Sequence, residues 1–408
     1  MVNNGKQQMP VQLAYIGCWY KNDMYSHNCS SLVDSLRAAG THVNVITSNC
    51  RCYSTAHQFA IAKDELINEN CSPIAIPHAP HDPGMKHGRL KYLAVKILRL
   101  DLILATARGF LYYKRARKAD VIHFDQVLEA FGFIPFYIVV TLAHWFGKRV
   151  VVTVHEIDPF QRKHTRFNRC YSKCAEIFAY SENMKKQIVA LGAPAEKIKV
   201  IRYGTSIPEF VPAERKQYIY FGGHFILRGK GYSELLDALE QLKSRGTRIP
   251  IVIYVGNGCN GLQEAKEMAS RKQLDDVITW QDFYSGEELA KVYQRSKACI
   301  IPFTGGSARH PLSCAMVNAT PVIATRAVDI PEYLGDLGIY VEGSAASIAD
   351  AIADIESGRK SLDGLGERLR AKALMELDCR KIAVELSREY SRIGGKTELL
   401  QIQPQTIA

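Results

Sequence analysis

Tyr220–Leu239 reads YFGGHFILRGKGYSELLDAL. An apolar run ends at Gly222-Gly223, a loop presents His224, Arg228 and Lys230, and a helix is expected after Gly231 near Ser233, a good N-cap residue. Glycines admit close backbone approach, a helix start offers unpaired N–H groups, and the cations add charge, so the stretch suits a diphosphate. The same residues also read as an ordinary strand-to-helix turn with an exposed lysine.

Outward from this turn the second half alternates strands and helices. Strands are expected at Gln217–Gly222, Ile249–Val255, Val277–Trp280, Ala298–Pro302, Pro321–Thr325 and Gly338–Val341. The first half repeats the pattern at Val11–Gly17, at HVNVITS from His42, and at Asp120–Phe124, Arg149–His155, Glu176–Tyr180 and Lys199–Arg202. Such alternation predicts an α/β chain of two Rossmann-like domains in tandem, each with a parallel, doubly wound sheet. With 408 residues the chain exceeds the usual size of one hydrophobic core. The divisions expected are residues 11–207, residues 215–375, and a C-terminal helix over residues 376–395 that packs back toward the first domain. Ser206–Lys216, with two prolines and mixed charge, reads as the linker. In this design a ligand sits in the cleft between domains, at the carboxyl ends of the strands.

A formal charge of +11 suits a partner that carries phosphate. Lys86–Lys118 holds ten Lys and Arg against the single acid Asp101, with apolar residues in the gaps. This stretch reads either as a contact for an anionic membrane surface or as a solvated helix face. No recognition motif for nucleic acid accompanies the charge. Ala130–Gly147 is apolar and close to the shortest bilayer span, but it runs into the β-rich RVVVTVHE, so a buried helix feeding a central strand is expected. The eleven cysteines are scattered and lack the paired CxxC spacing of a zinc site, which points to reduced thiols and no metal. The first ten residues carry no apolar h-region, so a cytoplasmic location is expected, with the inner face of the membrane as a possible station.

The Tyr220–Leu239 turn resembles the donor-phosphate loop of the retaining GT-B glycosyltransferases related to sucrose synthases and bacterial mannosyltransferases, a family 4-like group. In that family a strand ending in Gly-Arg is followed six residues later by Lys. Here Lys230 matches the lysine, His224 takes the arginine position, and Arg228 supplies a nearby charge. The resemblance continues through VGNG from Val255, Ile278–Phe303, and Cys314–Val341. In the first half it touches Gly17, His155 in TVHE, Tyr180-Ser181 and RYGTSIPEF. One departure stands out. The family usually has two glutamates eight positions apart, and the positions here are Gly306 and Cys314.

What the resemblance implies is transfer of a sugar from a nucleoside diphosphate to a hydroxyl acceptor, with retention and without a metal or other cofactor. Lys230, Arg228, His224 and His155 are the catalytic candidates. Gly17, Gly223, Phe283, Gly305, Gly306, Ser307, Arg309, His310, Pro311, Leu312, Cys314 and Glu332 are the substrate-binding ones. Glu332 is expected either as a carboxylate at a helix N-terminus or as a donor contact. The acceptor implied is a lipid-linked or cell-surface glycan. The missing glutamates keep a second reading open, a non-catalytic relative that acts as partner or scaffold of an active transferase.

Overall fold

The computed structural model describes residues 10–17, 24–47, 100–125, 133–155, 157, 166–210, 218–222, 229–254, 262–281 and 286–396. The chain divides into two compact units. The first comprises Met1–Tyr180, Met184–Gly204 and Cys379–Ala408, the second Ser181–Asn183 and Thr205–Asp378.

In chain order the first part of the sequence forms β1 (Gln12–Gly17), α1 (Met24–Ala38), β2 (His42–Thr47), α2 (Leu100–Ala116), β3 (Val121–Asp125), α3 (Phe133–Trp145), β4 (Arg149–Val154), α4 (Arg166–Lys173), β5 (Glu176–Ala179), α5 (Glu182–Ala190) and β6 (Ile198–Val200). The sheet is parallel, in the order β2-β1-β3-β4-β5-β6. Its strands are mostly apolar because both faces are covered. Successive side chains point to opposite faces. Thus Ala14, Ile16, Ile122 and Phe124 join one core with Tyr112, Phe136 and Val139, while Leu13, Tyr15 and Val121 join another with Val33 and Leu36.

The second part forms β7 (Ile219–Phe221), α6 (Tyr232–Ser244), β8 (Ile251–Tyr254), α7 (Leu262–Arg271), β9 (Ile278–Gln281), α8 (Gly286–Arg295), β10 (Ala298–Ile301), α9 (Arg309–Val317), β11 (Val322–Ala324), α10 (Ile330–Leu334), β12 (Ile339–Tyr340), α11 (Ala345–Glu356) and α12 (Leu365–Glu376). Its parallel sheet runs β12-β11-β10-β7-β8-β9. The last helix, α13 (Cys379–Ile393), belongs to the first unit. There Ile382, Leu386 and Tyr390 fill the core beside α1, and Ser387 Oγ lies 2.7 Å from Thr41 Oγ1.

All twelve expected strands are present, each within a few residues of its expected bounds. Two local expectations are corrected. The N-cap of α6 is Gly231, in the left-handed region at φ 66°, and Ser233 lies inside the helix with its hydroxyl on Glu234. The helix within Ala130–Gly147 does feed an interior strand, but only one side of it is buried, and Trp145 and Phe146 are exposed. Among the described residues no helix is long and apolar enough to cross a membrane. Among them, too, no group of three or more His, Cys, Asp or Glu side chains is placed to hold a metal ion.

Candidate functional site

Strand order fixes where ligands gather in an open parallel sheet: at the carboxyl ends of the two strands where the winding reverses. In the second unit these are β7 and β10. The segments that follow them interlock. Thr304 and Gly305 donate backbone N–H bonds to the Gly229 carbonyl at 2.9 and 3.1 Å. A Cβ on Gly231 would lie 2.0 Å from the Pro302 oxygen, so only glycine fits where these backbones meet.

This packing lodges the Lys230 ammonium. Its Nζ donates to the Ser307 carbonyl at 3.0 Å and sits 4.2 Å from the centre of the Phe303 ring. A Cβ at Gly306, itself left-handed at φ 70°, would come within 3.2 Å of that nitrogen. Lys230, Gly305, Gly306 and Ser307 therefore occupy one place, with a cation held among backbone groups. His224, Arg228, Gly223 and Phe283 lie outside the described residues.

The remaining expected residues of this unit have other partners. Arg309 is buried, and its guanidinium donates to Asp329 at 2.8 Å in a pair almost closed to solvent. His310 Nε2 lies 3.5 Å from Cys314 Sγ, and burial pushes the Cys314 thiol up to about 12, which keeps it protonated. Leu312 is core, and Pro311 packs beside Gly222 at the end of β7. Both carboxylate oxygens of Glu332 accept backbone N–H bonds, from Glu182 and Asn183 at 2.8 Å each, and these residues group with the second unit.

In the first unit the winding reverses between β1 and β3. Asp125 ends β3 there, beside Gly17 at the end of β1, whose added Cβ would lie 3.9 Å from that of Asp125. Tyr15 donates its hydroxyl to Asp125 Oδ2, and His155, just past β4, donates Nε2–H to Oδ1 at 2.5 Å. The Tyr180 hydroxyl, just past β5, lies 2.9 Å from the same imidazole nitrogen. Burial pushes the Asp125 carboxyl upward, but the charges of His155 and His123 and the bonds from His155 and Tyr15 outweigh it and hold the group at about 2. Asp125 is thus an anion throughout the physiological range. Tyr15, Asp125, His155 and Tyr180 line a cavity of about 30 Å³ with Arg202 and Tyr203, room for a water or a hydroxyl group.

In the cavity wall His123 is almost fully buried, with Nε2 2.7 Å from Thr153 Oγ1 and Nδ1 2.7 Å from Tyr390 Oη. Burial drives its pKa down to about 4, helped by His155 and opposed by Asp125. The unfolded imidazole titrates near 6.5, so between these values the unfolded chain binds a proton that the folded one refuses. Stability is therefore expected to fall as pH drops from about 6.5 to about 4, by up to roughly 3 kcal/mol from this residue. Urea midpoints across that window should fall less steeply in His123→Gln than in the wild type.

Asp125, Tyr15 and His123 are absent from the sequence-derived candidates. The signal was there: a carboxylate closing an interior strand of a parallel sheet stands where ligands bind. Taking the strand as Asp120–Phe124 stops one residue short of it.

Residues 29–207 match the family model for Glycosyltransferase Family 4, and residues 215–357 match that for Glycosyl transferases group 1. The chain belongs to the glycosyltransferases. The chain is 24% identical over 209 residues to a D-inositol 3-phosphate glycosyltransferase of Pseudarthrobacter chlorophenolicus, a match covering 47% of the chain and 50% of that relative. The chain thus spans about half the length of that curated relative. Solved structures share its GT-B fold. Sucrose-phosphate synthase from Thermosynechococcus elongatus superposes with a TM-score of 0.71 at 16% identity, covering 94% of this chain and 99% of the other. Anabaena HepE, solved in complex with UDP and glucose, superposes with a TM-score of 0.68 at 15% identity, covering 93% and 99%. At the two positions where the resemblance leads one to expect glutamates, the chain presents the exposed backbone of Gly306 and the thiol of Cys314.

Proposed function

We propose that the chain transfers a sugar from a nucleoside diphosphate to a hydroxyl group of a lipid-linked or cell-surface glycan, with retention of anomeric configuration. The observation that carries this reading is the Lys230 ammonium, fixed by Ser307 and Phe303 at the reversal point of the second sheet. The bond between the sugar C1 and the diphosphate oxygen breaks, a bond from C1 to the acceptor oxygen forms, and the hydroxyl proton ends on the departing diphosphate. Negative charge grows on that diphosphate as the bond lengthens, and a cation already in place stabilises it without reorganisation. The exposed backbone of Gly306, beside the ammonium, adds an N–H group to the same task. In the first unit His155, anchored by Asp125, offers a hydrogen bond to a sugar hydroxyl.

A nucleotide-bound neighbour of the same fold supports the choice of donor class. The test is a thermal-shift screen with UDP- and GDP-sugars, repeated on Lys230→Ala, followed by the anomeric configuration of the product by NMR. A stabilising nucleotide sugar whose effect survives the substitution moves the phosphate site elsewhere. No shift with any nucleotide leaves the scaffold reading. Because a fixed ammonium and a backbone amide carry the charge, turnover is expected to persist after exhaustive chelation with EDTA. Restoration by added Mg²⁺ or Mn²⁺ would contradict that.

A further inference from the structure

Helices α2 and α3 lie side by side. A Cβ on Gly109 would meet Ile138 at 2.7 Å, and Tyr113 stacks on Phe146 with ring centres 5.8 Å apart. The inner side of α3 is spent on the core through Pro135, Phe136, Val139, Val140 and Ala143. Its outer side is not the polar face of an ordinary surface helix. The side chains it exposes are Tyr137, His144 and Trp145, and Trp145 is 73% exposed, with Phe146 next at 65%. Helix α2 adds Ile103, Phe110 and Leu111 at helical spacing, the first two more than half exposed. Six of the eight large apolar side chains exposed among the described residues lie on this pair, which makes a patch rather than a scatter.

The patch has a rim of one sign. Lys114, Arg115, Arg117 and Lys118 are exposed where α2 ends, Arg149 is exposed just past α3, and Lys173 lies over the Tyr137 ring at 5.8 Å. Neither residues 102–119 nor residues 133–155 contain an Asp or Glu. Aromatic rings beside Lys and Arg, with apolar residues between, match the chemistry of a membrane interface, where rings sit at headgroup depth and cations meet lipid phosphate. A second copy of the chain is a poorer occupant, because a symmetric contact sets this patch against itself and the same cations face one another.

We infer that the α2–α3 face docks on an anionic phospholipid surface, with Phe110, Trp145 and Phe146 entering the interface and the Lys114–Lys118 cluster holding the headgroups. The inference rests on this surface alone and not on the reaction proposed above. Flotation of the full chain with vesicles tests it, using phosphatidylcholine with and without phosphatidylglycerol. The protein should float with the anionic vesicles at low salt and be released at high salt. Trp145→Ser combined with Phe146→Ser should weaken partitioning by about tenfold or more, and Lys114→Glu combined with Arg117→Glu by a similar factor.

Brominated lipid supplies a second readout. It should quench part of the fluorescence of the three tryptophans, and Trp145→Phe should lose that part. Three outcomes overturn the inference: no flotation at low salt, flotation indifferent to both double substitutions, or quenching unchanged in Trp145→Phe. A dimer in sedimentation velocity that Trp145→Ser/Phe146→Ser dissociates, without vesicle binding, overturns it in favour of a contact between copies.

Discussion

Lys230→Ala is expected to lower kcat/KM for sugar transfer by about 10²- to 10³-fold, the loss typical when a preorganised electrostatic group is removed from the transition state. The ammonium is held by the Ser307 carbonyl and the Phe303 ring, next to the side-chain-free Gly306. Its removal is expected to cost the fold little, since a hydrogen bond or a cation–π contact at a half-buried site is worth about 1 kcal/mol. A thermal melt close to wild type beside a collapsed kcat/KM is therefore the expected pair of results. Lys230→Arg should restore little, because the planar guanidinium fork needs more room than the gap between Phe303 and Gly306 gives a compact ammonium. Steady-state kinetics with the preferred donor decide the matter, and an unchanged kcat/KM in Lys230→Ala places the phosphate-binding charge on another residue.

Gly231→Ala should have the largest effect on stability. Two costs coincide at this residue. Its φ of 66° lies in the left-handed region, which costs an L-residue about 1 kcal/mol. The added methyl would also lie 2.0 Å from the Pro302 oxygen, a backbone atom at the end of β10 that cannot swing aside as a flexible side chain can. The segments after β7 and β10 must separate to admit it, and the loss is expected to reach about 3–5 kcal/mol. For a unit of this size that is a drop in melting temperature of roughly 6 °C or more. Differential scanning calorimetry of Gly231→Ala would show it, with Gly246→Ala as a comparison: that glycine is also left-handed, but nothing stands within 4 Å of its added Cβ.

Strands were the easiest elements to read because parallel sheets bury both faces, so every strand announces itself as an apolar run between polar turns. Glycines marked the turn after β7 for a related reason, since close backbone approach leaves no alternative residue there. Partnerships formed across long stretches of sequence were not legible. Nothing in HPLS next to Arg309 says that its guanidinium is taken up by Asp329, twenty residues on. Nor does the sequence of β3 say that Tyr15, His155 and Tyr180 converge on it, because that depends on which strands become neighbours. Helix α3 misled for a different reason. Its apolar residues go all the way round, and such a helix reads as buried whether or not something covers its outer side.

The placement of α13 carries a consequence for how the protein is made. Residues 379–393 supply Ile382, Leu386 and Tyr390 to a core whose other members lie before residue 202, and Tyr390 is the partner that closes His123. A ribosome delivers these pieces in the wrong order for tidy completion. When residue 204 emerges, the sheet face bearing Leu13, Tyr15, Val121 and Phe178 still lacks its final cover, and it stays so while the whole of the second unit is synthesised. Folding of the amino-terminal half thus finishes last, and through that interval α1 is the one helix among the described residues in place to cover that apolar face.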